Sequence, residues 1–289
     1  MSERTAADSP SGLTCLASQA AYLLRRLLVP SFPVPVIWGV IGWNLALNGS
    51  RLPLVTWALL SLHVVCFVSC QLQPLQAVTS GPETDWPLCP TTHRPIPPRS
   101  RYVRRAGGVV IGFDHWCFWL ETPIGLHNRK GFVLYLLYSC LLCVSGAHVA
   151  LTAAVADTEA MLPPAMASAL QWLLTTFPVI QLFLWWLGVE SGSFQGAQLF
   201  CAILDLLLGA GLFGFGTYQL HLVLRNQTTV CRQNSSGHSS GNAFDVGWRA
   251  NWRQVMGERP LLWLLPLGSP GCDGIHWPTR PAFMAAKQV

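Results

Sequence analysis

Five long apolar runs, separated by short polar segments, limit the folds that this chain can adopt. They lie at residues 27–47, 53–75, 131–155, 169–189 and 194–224. A helix that spans a bilayer needs about 20 mostly apolar residues, and each run reaches that length. Hydrophobic residues make up 51% of the 289 residues and charged residues only 11%, a balance that excludes an ordinary soluble domain. The sequence predicts an all-α membrane protein.

Basic residues set the predicted orientation of these runs. Arg and Lys are concentrated in segments 76–130 and 225–289, whereas the connection 156–168 carries acidic residues and no basic ones. Because basic segments stay on the cytosolic side, both are predicted to be cytosolic. Three full crossings between these two basic segments would place them on opposite sides of the membrane. The run at 169–189, which Pro178 interrupts, is therefore assigned as re-entrant or interfacial. Four full spans are predicted, and five remain the alternative.

Five regions follow from this pattern. They are a disordered cytosolic tail at 1–26, a first transmembrane hairpin at 27–75, a cytosolic loop domain at 76–130, a second transmembrane region at 131–224 and a cytosolic tail at 225–289. No cleaved signal peptide is expected, because no basic, apolar and small-residue succession opens the chain. The ten cysteines indicate no disulfide framework. The net charge of +5 is too scattered to indicate nucleic-acid binding.

The loop domain carries a thiol, an imidazole and a carboxylate within four residues, Asp114-His115-Trp116-Cys117. On an extended backbone His115 and Cys117 point to the same side, so the imidazole can take the thiol proton and generate a nucleophilic thiolate. Asp114 needs a bend to reach the far nitrogen of His115, and Gly112 allows one. The pattern predicts a catalytic cysteine. A structural histidine beside a buried cysteine is the alternative interpretation.

The position of this group beside an apolar run indicates the kind of substrate. A cysteine near the lipid–water boundary can meet a molecule with an apolar chain and a polar head, and thioester exchange with acyl-CoA suits that setting. The phosphates would stay in water beside basic side chains of the loop. The candidates are Arg99, Arg101, Arg104, Arg105, Arg129 and Lys130. Positive-inside topology alone would also account for these residues.

Residues in the loop and in the tail match the motif spacing of a known family. They are Cys89, Pro97, Arg99-Ser100, Asp114-His115-Trp116-Cys117, Trp119, Gly125, Asn128 and Phe132 in the loop, and Thr228-Thr229, Asn242, Phe244-Asp245, Gly247, Asn251 and Gly257 in the tail. On these residues the chain resembles the DHHC palmitoyltransferases, also called protein S-acyltransferases. It resembles a divergent member with a DHWC signature and a degenerate cysteine-rich domain.

The resemblance implies a two-step acyl transfer. Cys117 would be the nucleophile that takes the acyl group from palmitoyl-CoA, with His115 as base and Asp114 orienting it. A cysteine of a membrane-associated substrate protein would then receive the acyl group. The resemblance also implies a multi-pass protein of an endomembrane, ER or Golgi, with its termini and catalytic loop cytosolic. The structural motif residues that it carries over are Asn128, Thr228, Thr229, Asn242 and Asn251.

The chain departs from the family at the zinc ligands. The family holds two zinc ions at eight cysteine and histidine positions, of which only Cys89 remains here. The other seven positions carry Thr92, Tyr102, Val103, Ala106, Val109, Trp116 and Pro123. One ligand does not form a closed tetrahedral site, so no bound zinc and no resident cofactor are expected. Aromatic packing and docking onto the membrane are predicted to hold the loop instead, through Phe113, Trp116, Phe118 and Trp119.

Two other function classes stay open. Loss of the metal ligands favours a catalytically inactive membrane scaffold, as does Cys231 at the position of the glutamate in the family's Thr-Thr-x-Glu motif. A transporter or channel is the third class, indicated by Asp205 inside the last apolar run. Pairing of Asp205 with a polar neighbour such as Gln181 or His148 would account for that residue without transport.

Overall fold

The computed structural model describes residues 52–72, 86–93, 95–159, 193–234 and 242–280, together with scattered positions between 39 and 46. The predicted N-terminal tail, most of the first apolar run and the whole run at 169–189 lie outside the described residues. The choice between four and five spans therefore stays a prediction, as do the five regions.

Three long helices occupy three of the predicted apolar runs. They are α1 (Leu54–Gln71), α2 (Leu126–Glu159) and α3 (Ser193–Leu224). Each contains a stretch that is long and apolar enough to cross a bilayer. The helix α2 begins at Leu126, before the apolar run at 131–155, so Asn128, Arg129 and Lys130 lie in a helix rather than in a loop. The helical character of these three runs is confirmed.

The segment between α1 and α2 folds into two short antiparallel hairpins. Strand β1 (Arg101–Val103) pairs with β2 (Gly108–Val110), and β3 (His115–Cys117) pairs with β4 (Thr122–Ile124). An all-α description did not anticipate these strands, because three residues are too few to show the alternating pattern of a strand. The described residues are nevertheless mostly helical, as expected.

The tail forms a short helix, α4 (Thr229–Asn234), then α5 (Trp248–Met256) and a 3₁₀ turn (Pro260–Leu262). Asparagine side chains tie the tail to the end of α3. Asn251 Nδ2 donates to the Leu224 carbonyl at 2.8 Å, and Asn242 Nδ2 donates to the Arg225 carbonyl at 2.5 Å. Both residues therefore serve as structural links between the last spanning helix and the tail.

Contacts divide the chain into two compact units. The first contains Cys66–Leu134 and Gln219–Val289, and includes the hairpins and the tail. The second contains Val36–Val65 and Tyr135–Tyr218.

The buried Asp205 of the second unit has a polar partner. Asn44 Nδ2 donates to Asp205 Oδ1 at 3.4 Å, and a side chain added at Gly146 would approach Asp205 Oδ2 to 2.5 Å. The polar partner that the described residues show is Asn44. His148 is exposed, and Gln181 lies outside the described residues. A polar contact inside the bundle accounts for Asp205 without a transport path.

Asn128 connects the hairpins to both flanking helices in the first unit. Its Oδ1 accepts the Gly125 N–H at 2.9 Å, and its Nδ2 donates to the carbonyls of Cys70 at 2.9 Å and Pro123 at 3.0 Å. Gln71 Nε2, at the end of α1, donates to the Leu120 carbonyl at 2.9 Å. The second hairpin is thus fastened to the end of α1 and the start of α2.

We expect Asn128→Ala to lower the free energy of unfolding by about 3 kcal/mol, because it leaves buried polar backbone groups without their partner. Thermal unfolding of the purified protein in detergent would show a lower midpoint. Thr217→Ala is the control, since the Thr217 hydroxyl is exposed and bonds only within its own helix, and it should change stability by less than about 0.5 kcal/mol. Equal midpoints for the two variants would contradict this role of Asn128.

Candidate active site

The carboxylate of Asp114 is fully buried and surrounded by donors. His115 Nδ1 lies 2.7 Å from Asp114 Oδ2. From the tail, the Thr229 N–H donates to Oδ1 at 2.9 Å and the Thr229 hydroxyl donates to Oδ2 at 3.1 Å. From α2, Arg129 Nη2 lies 3.3 Å from Oδ1. A buried carboxylate needs partners of this kind, and here they come from three separate parts of the chain.

The bend that brings Asp114 to His115 is present at Gly112. This glycine has a φ of 57°, and a Cβ there would lie 3.0 Å from Leu126 Cβ and 3.3 Å from the Trp277 ring. Both the backbone conformation and the lack of space favour glycine. After the bend, the Asp114 N–H donates to the Ile124 carbonyl at 2.8 Å, which joins Asp114 to the second hairpin.

His115 and Cys117 lie on one side of β3, as the spacing predicts. Cys117 is buried, and it lies two residues after His115 in the same strand. The Phe132 ring of α2 meets the imidazole edge-on, with ring centroids 5.1 Å apart. The structure therefore brings Asp114, His115 and Cys117 together in the predicted order.

Charge coupling fixes the ionisation of the first two groups. Burial alone would raise the pKa of Asp114, but the charge of Arg129 and the hydrogen bond from His115 lower it to about 2. Burial would likewise lower the pKa of His115, but the hydrogen bond with Asp114 and the neighbouring Cys117 thiol raise it to about 9. At neutral pH, Asp114 is therefore a carboxylate and His115 an imidazolium.

The same shifts make the pair a pH-dependent source of stability. The contribution of Asp114 is present above its usual pKa of 3.8 and is lost as the pH falls through about 2. The contribution of His115 is complete below 6.5 and is lost as the pH rises through about 9. A neighbouring imidazolium favours the thiolate form of a cysteine, which is the form that acts as a nucleophile.

Three basic residues predicted to bind phosphates lie inside the protein. The guanidinium of Arg99 lies over the rings of Phe244 and Trp277, with its Cζ 4.7 and 4.1 Å from their centroids. Burial lowers its pKa to about 10, which leaves it charged at neutral pH. Arg129 Nη2 also donates to the Gln227 carbonyl at 2.6 Å. Lys130 Nζ donates to two carbonyls of the tail.

Arg101 differs from these three. Its side chain is exposed on β1 with its guanidinium over the Phe113 ring, and Arg104 and Arg105 are exposed nearby in the sequence. The sequence did not reveal Arg129 as a partner of Asp114, because a positive charge in a basic segment carries no sign of its burial. The contacts of Arg99 with the two aromatic rings of the tail were not predicted, for the same reason.

The tail threonines have separate functions. Thr229 binds Asp114, whereas Thr228 Oγ1 accepts the Cys231 N–H at 3.2 Å at the start of α4. The thiol of Cys231 replaces a carboxylate, yet the contact between tail and loop that Thr229 provides is intact in this structure.

The residues at the family's eight zinc positions do not fit a metal ion. Valine, alanine, proline and tryptophan offer no metal-binding atom. No cluster of three potential ligands occurs among the described residues, which include all eight positions.

Six of these positions join two apolar clusters instead. The first apolar cluster consists of Cys89, Ile96 and Val109, with Tyr102 packed against it. The second apolar cluster consists of Val103, Ala106, Val110 and Phe113, with Trp116 and Val230 packed against it. Of the remaining two positions, Thr92 follows Cys89 in the loop, and Pro123 pairs with Trp116 across the second hairpin.

Side chains at six of the eight zinc positions therefore pack in apolar clusters. The predicted aromatic packing is present for Phe113 and Trp116. It is absent for Phe118 and Trp119, which are each 57% exposed and contact each other at a centroid distance of 5.9 Å.

Comparisons with known proteins found similar chains. A family model described as DHHC palmitoyltransferase matches residues 83–236. Human palmitoyltransferase ZDHHC20 is 30% identical over 203 residues, which cover 67% of this chain and 46% of the relative. Palmitoyltransferase PFA3 of Yarrowia lipolytica is 28% identical over 192 residues, 59% of this chain and 43% of the relative. Mouse palmitoyltransferase ZDHHC22 is 31% identical over 199 residues, 67% of each chain.

We expect Arg129→Gln to move the acid limb of stability to higher pH by about 1 unit or more, because Asp114 loses the cation that lowers its pKa. The measurement is the thermal unfolding midpoint of the purified protein in detergent against pH. Arg129→Lys should recover part of the shift, since it keeps the charge. The exposed Arg104→Gln is the control and should match the wild type, and an unshifted limb in Arg129→Gln would contradict the proposed coupling.

Proposed function

This chain belongs to the DHHC palmitoyltransferase family, and on that premise we propose that it transfers a fatty acyl group from acyl-CoA to cysteines of substrate proteins. The chain spans about half the length of most of the curated relatives that it matches. The observation that carries the proposal is the buried Asp114 carboxylate, whose Oδ2 lies 2.7 Å from His115 Nδ1, with the buried Cys117 on the same side of β3 as His115. This is the arrangement of an activated cysteine nucleophile.

In the first step Cys117 is acylated. The thiolate sulfur attacks the carbonyl carbon of the acyl-CoA thioester, a new thioester bond forms, and the bond from that carbon to the CoA sulfur breaks. The proton on His115 passes to the departing CoA thiolate, which leaves a neutral imidazole. The raised pKa of His115 supports this assignment, because the imidazolium is present at neutral pH.

In the second step the acyl group leaves the enzyme. The thiol of a substrate cysteine gives its proton to the imidazole of His115, and its sulfur attacks the acyl carbonyl carbon. The bond to Cys117 breaks, which restores the thiolate and the imidazolium. Asp114 orients the imidazole and compensates its charge through both steps.

The phosphates of acyl-CoA are assigned to exposed basic side chains. Arg101, Arg104 and Arg105 lie on or beside the first hairpin and are open to solvent. Arg99, Arg129 and Lys130 are assigned a structural function instead, because their cationic groups are already bonded to protein atoms. A planar guanidinium also suits a phosphate group.

We assign the protein to an endomembrane, ER or Golgi, with the termini and the loop on the cytosolic side. The concentration of Arg and Lys in segments 76–130 and 225–289 supports this orientation. Membrane-associated proteins that carry a cysteine near the bilayer are the substrates, since Cys117 lies in the sequence close to the start of α2.

The reaction needs no zinc in this chain. The second apolar cluster contains Val230, the neighbour of the Thr229 that binds Asp114. Trp116, which lies between His115 and Cys117 in β3, packs against this cluster. Apolar contacts therefore connect the catalytic strand to the tail. This supports a loop whose order depends on packing rather than on metal coordination.

Autoacylation tests the proposed nucleophile. Incubation of the purified chain with a clickable palmitoyl-CoA analogue should give a label that hydroxylamine removes, and Cys117→Ser should lose it. Cys231→Ser is the matched control, because Cys231 is a half-buried cysteine of the same unit and should keep its label. Equal labelling of wild type and Cys117→Ser would exclude Cys117 as the nucleophile. An unlabelled wild type would favour the inactive scaffold.

A second experiment tests the independence from metal. Elemental analysis of the purified chain should find far less than one zinc per chain, and a strong chelator should leave thermal unfolding and autoacylation unchanged. Ala106→Asp should lower the free energy of unfolding by about 3 kcal/mol, because it places an unpaired charge in the second apolar cluster. The exposed Ala250→Asp is the control. Two zinc ions per chain, lost together with the fold, would contradict the assignment.

A further inference from the structure

The tail segment 260–267, named here the leucine turn, exposes leucines away from the catalytic residues. Leu261 is 93% exposed, Leu264 64% and Leu267 54%. The turn is nonetheless ordered, because Trp263 packs edge-on against Trp252 at a centroid distance of 5.8 Å and donates its indole N–H to the Gly257 carbonyl at 2.9 Å. Single exposed leucines are ordinary on a protein surface, but a group this dense indicates an interaction site.

Lys130 fixes the position of the leucine turn. Its Nζ donates to the carbonyls of Leu262 and Leu267, each at 2.7 Å, and the residue is buried. Lys130 lies near the start of α2, whose apolar stretch runs from Leu126 to Ala156. The leucine turn is therefore held beside the point at which this spanning helix enters the bilayer.

The surroundings of the leucine turn have the composition of a lipid-facing surface. Trp248 of α5 is exposed, and the Arg249 guanidinium lies 5.1 Å from its ring centroid. Arg253 and Arg259 are also exposed, and Glu258 is the one acidic residue between 248 and 267. Tryptophan, arginine and leucine side chains on one surface are typical of segments that lie in the membrane interface.

We propose that the leucine turn inserts into the interface of the bilayer beside α2, with its leucines among the acyl chains. Arg249, Arg253 and Arg259 contact the phosphates of lipid headgroups. The bilayer is chosen as the partner because Lys130 makes the leucine turn continuous with a spanning helix and because the charge around it complements anionic lipid. Insertion sets the depth of the start of α2, and the inference does not depend on acyl transfer.

Two cysteine variants of equal exposure test the proposal. Leu264 is 64% exposed and the Glu258 side chain 65%, so without lipid Leu264→Cys and Glu258→Cys should react alike with a charged, membrane-impermeant maleimide. The full chain is placed, one copy per disc, in nanodiscs of phosphatidylcholine and phosphatidylserine. The rates are read from the tryptic peptides that carry each site, and Leu261→Cys serves as the second test variant if Leu264→Cys fails to fold.

We expect the leucine sites to react about tenfold more slowly than Glu258→Cys, because a charged reagent does not enter the apolar layer. Equal rates would overturn the proposal. Protection that appears only when two copies share a disc would also overturn it, since it would assign the leucine turn to self-association. Labelling does not require an active Cys117, so its outcome is independent of the proposed function.

Discussion

The candidate active site depends on the contacts of the buried Asp114 carboxylate. Its partners come from the adjacent residue His115, from Arg129 at the start of α2 and from Thr229 at the start of α4. A charge taken out of water at this depth is stable only with several partners at once. The second hairpin, α2 and the tail must therefore meet before Asp114 has all its partners.

Apolar packing holds the loop where the family uses metal. Coordination fixes a loop through a few short bonds, whereas packing fixes it through many weak contacts that all have to be made together. The second apolar cluster draws on the first hairpin, on Trp116 of β3 and on Val230 of α4. Contacts of this kind connect the same parts of the chain that converge on Asp114.

The sequence predicted the local arrangement of His115 and Cys117 better than the contacts that hold the site in place. Residues His115 and Cys117 were placed by local spacing, and the bend at Gly112 follows from a glycine, so both were predictable. Arg129, Lys130 and Arg99 were expected to face substrate, but their partners lie far along the chain and leave no local signal. The strands were missed because they are only three residues long, whereas apolar length was sufficient to predict α1, α2 and α3.

The contacts of Arg99 with the tail have a consequence for folding during synthesis. Arg99 reaches Asn226, 127 residues downstream, and the rings of Phe244 and Trp277 follow later still. During synthesis the loop leaves the ribosome long before these partners, so the contacts of Arg99 form only after α2 and α3 have been made. The surroundings of Arg99 are therefore completed last, and a chain that ends before Trp277 would carry Asp114, His115 and Cys117 without the ring that lies over Arg99.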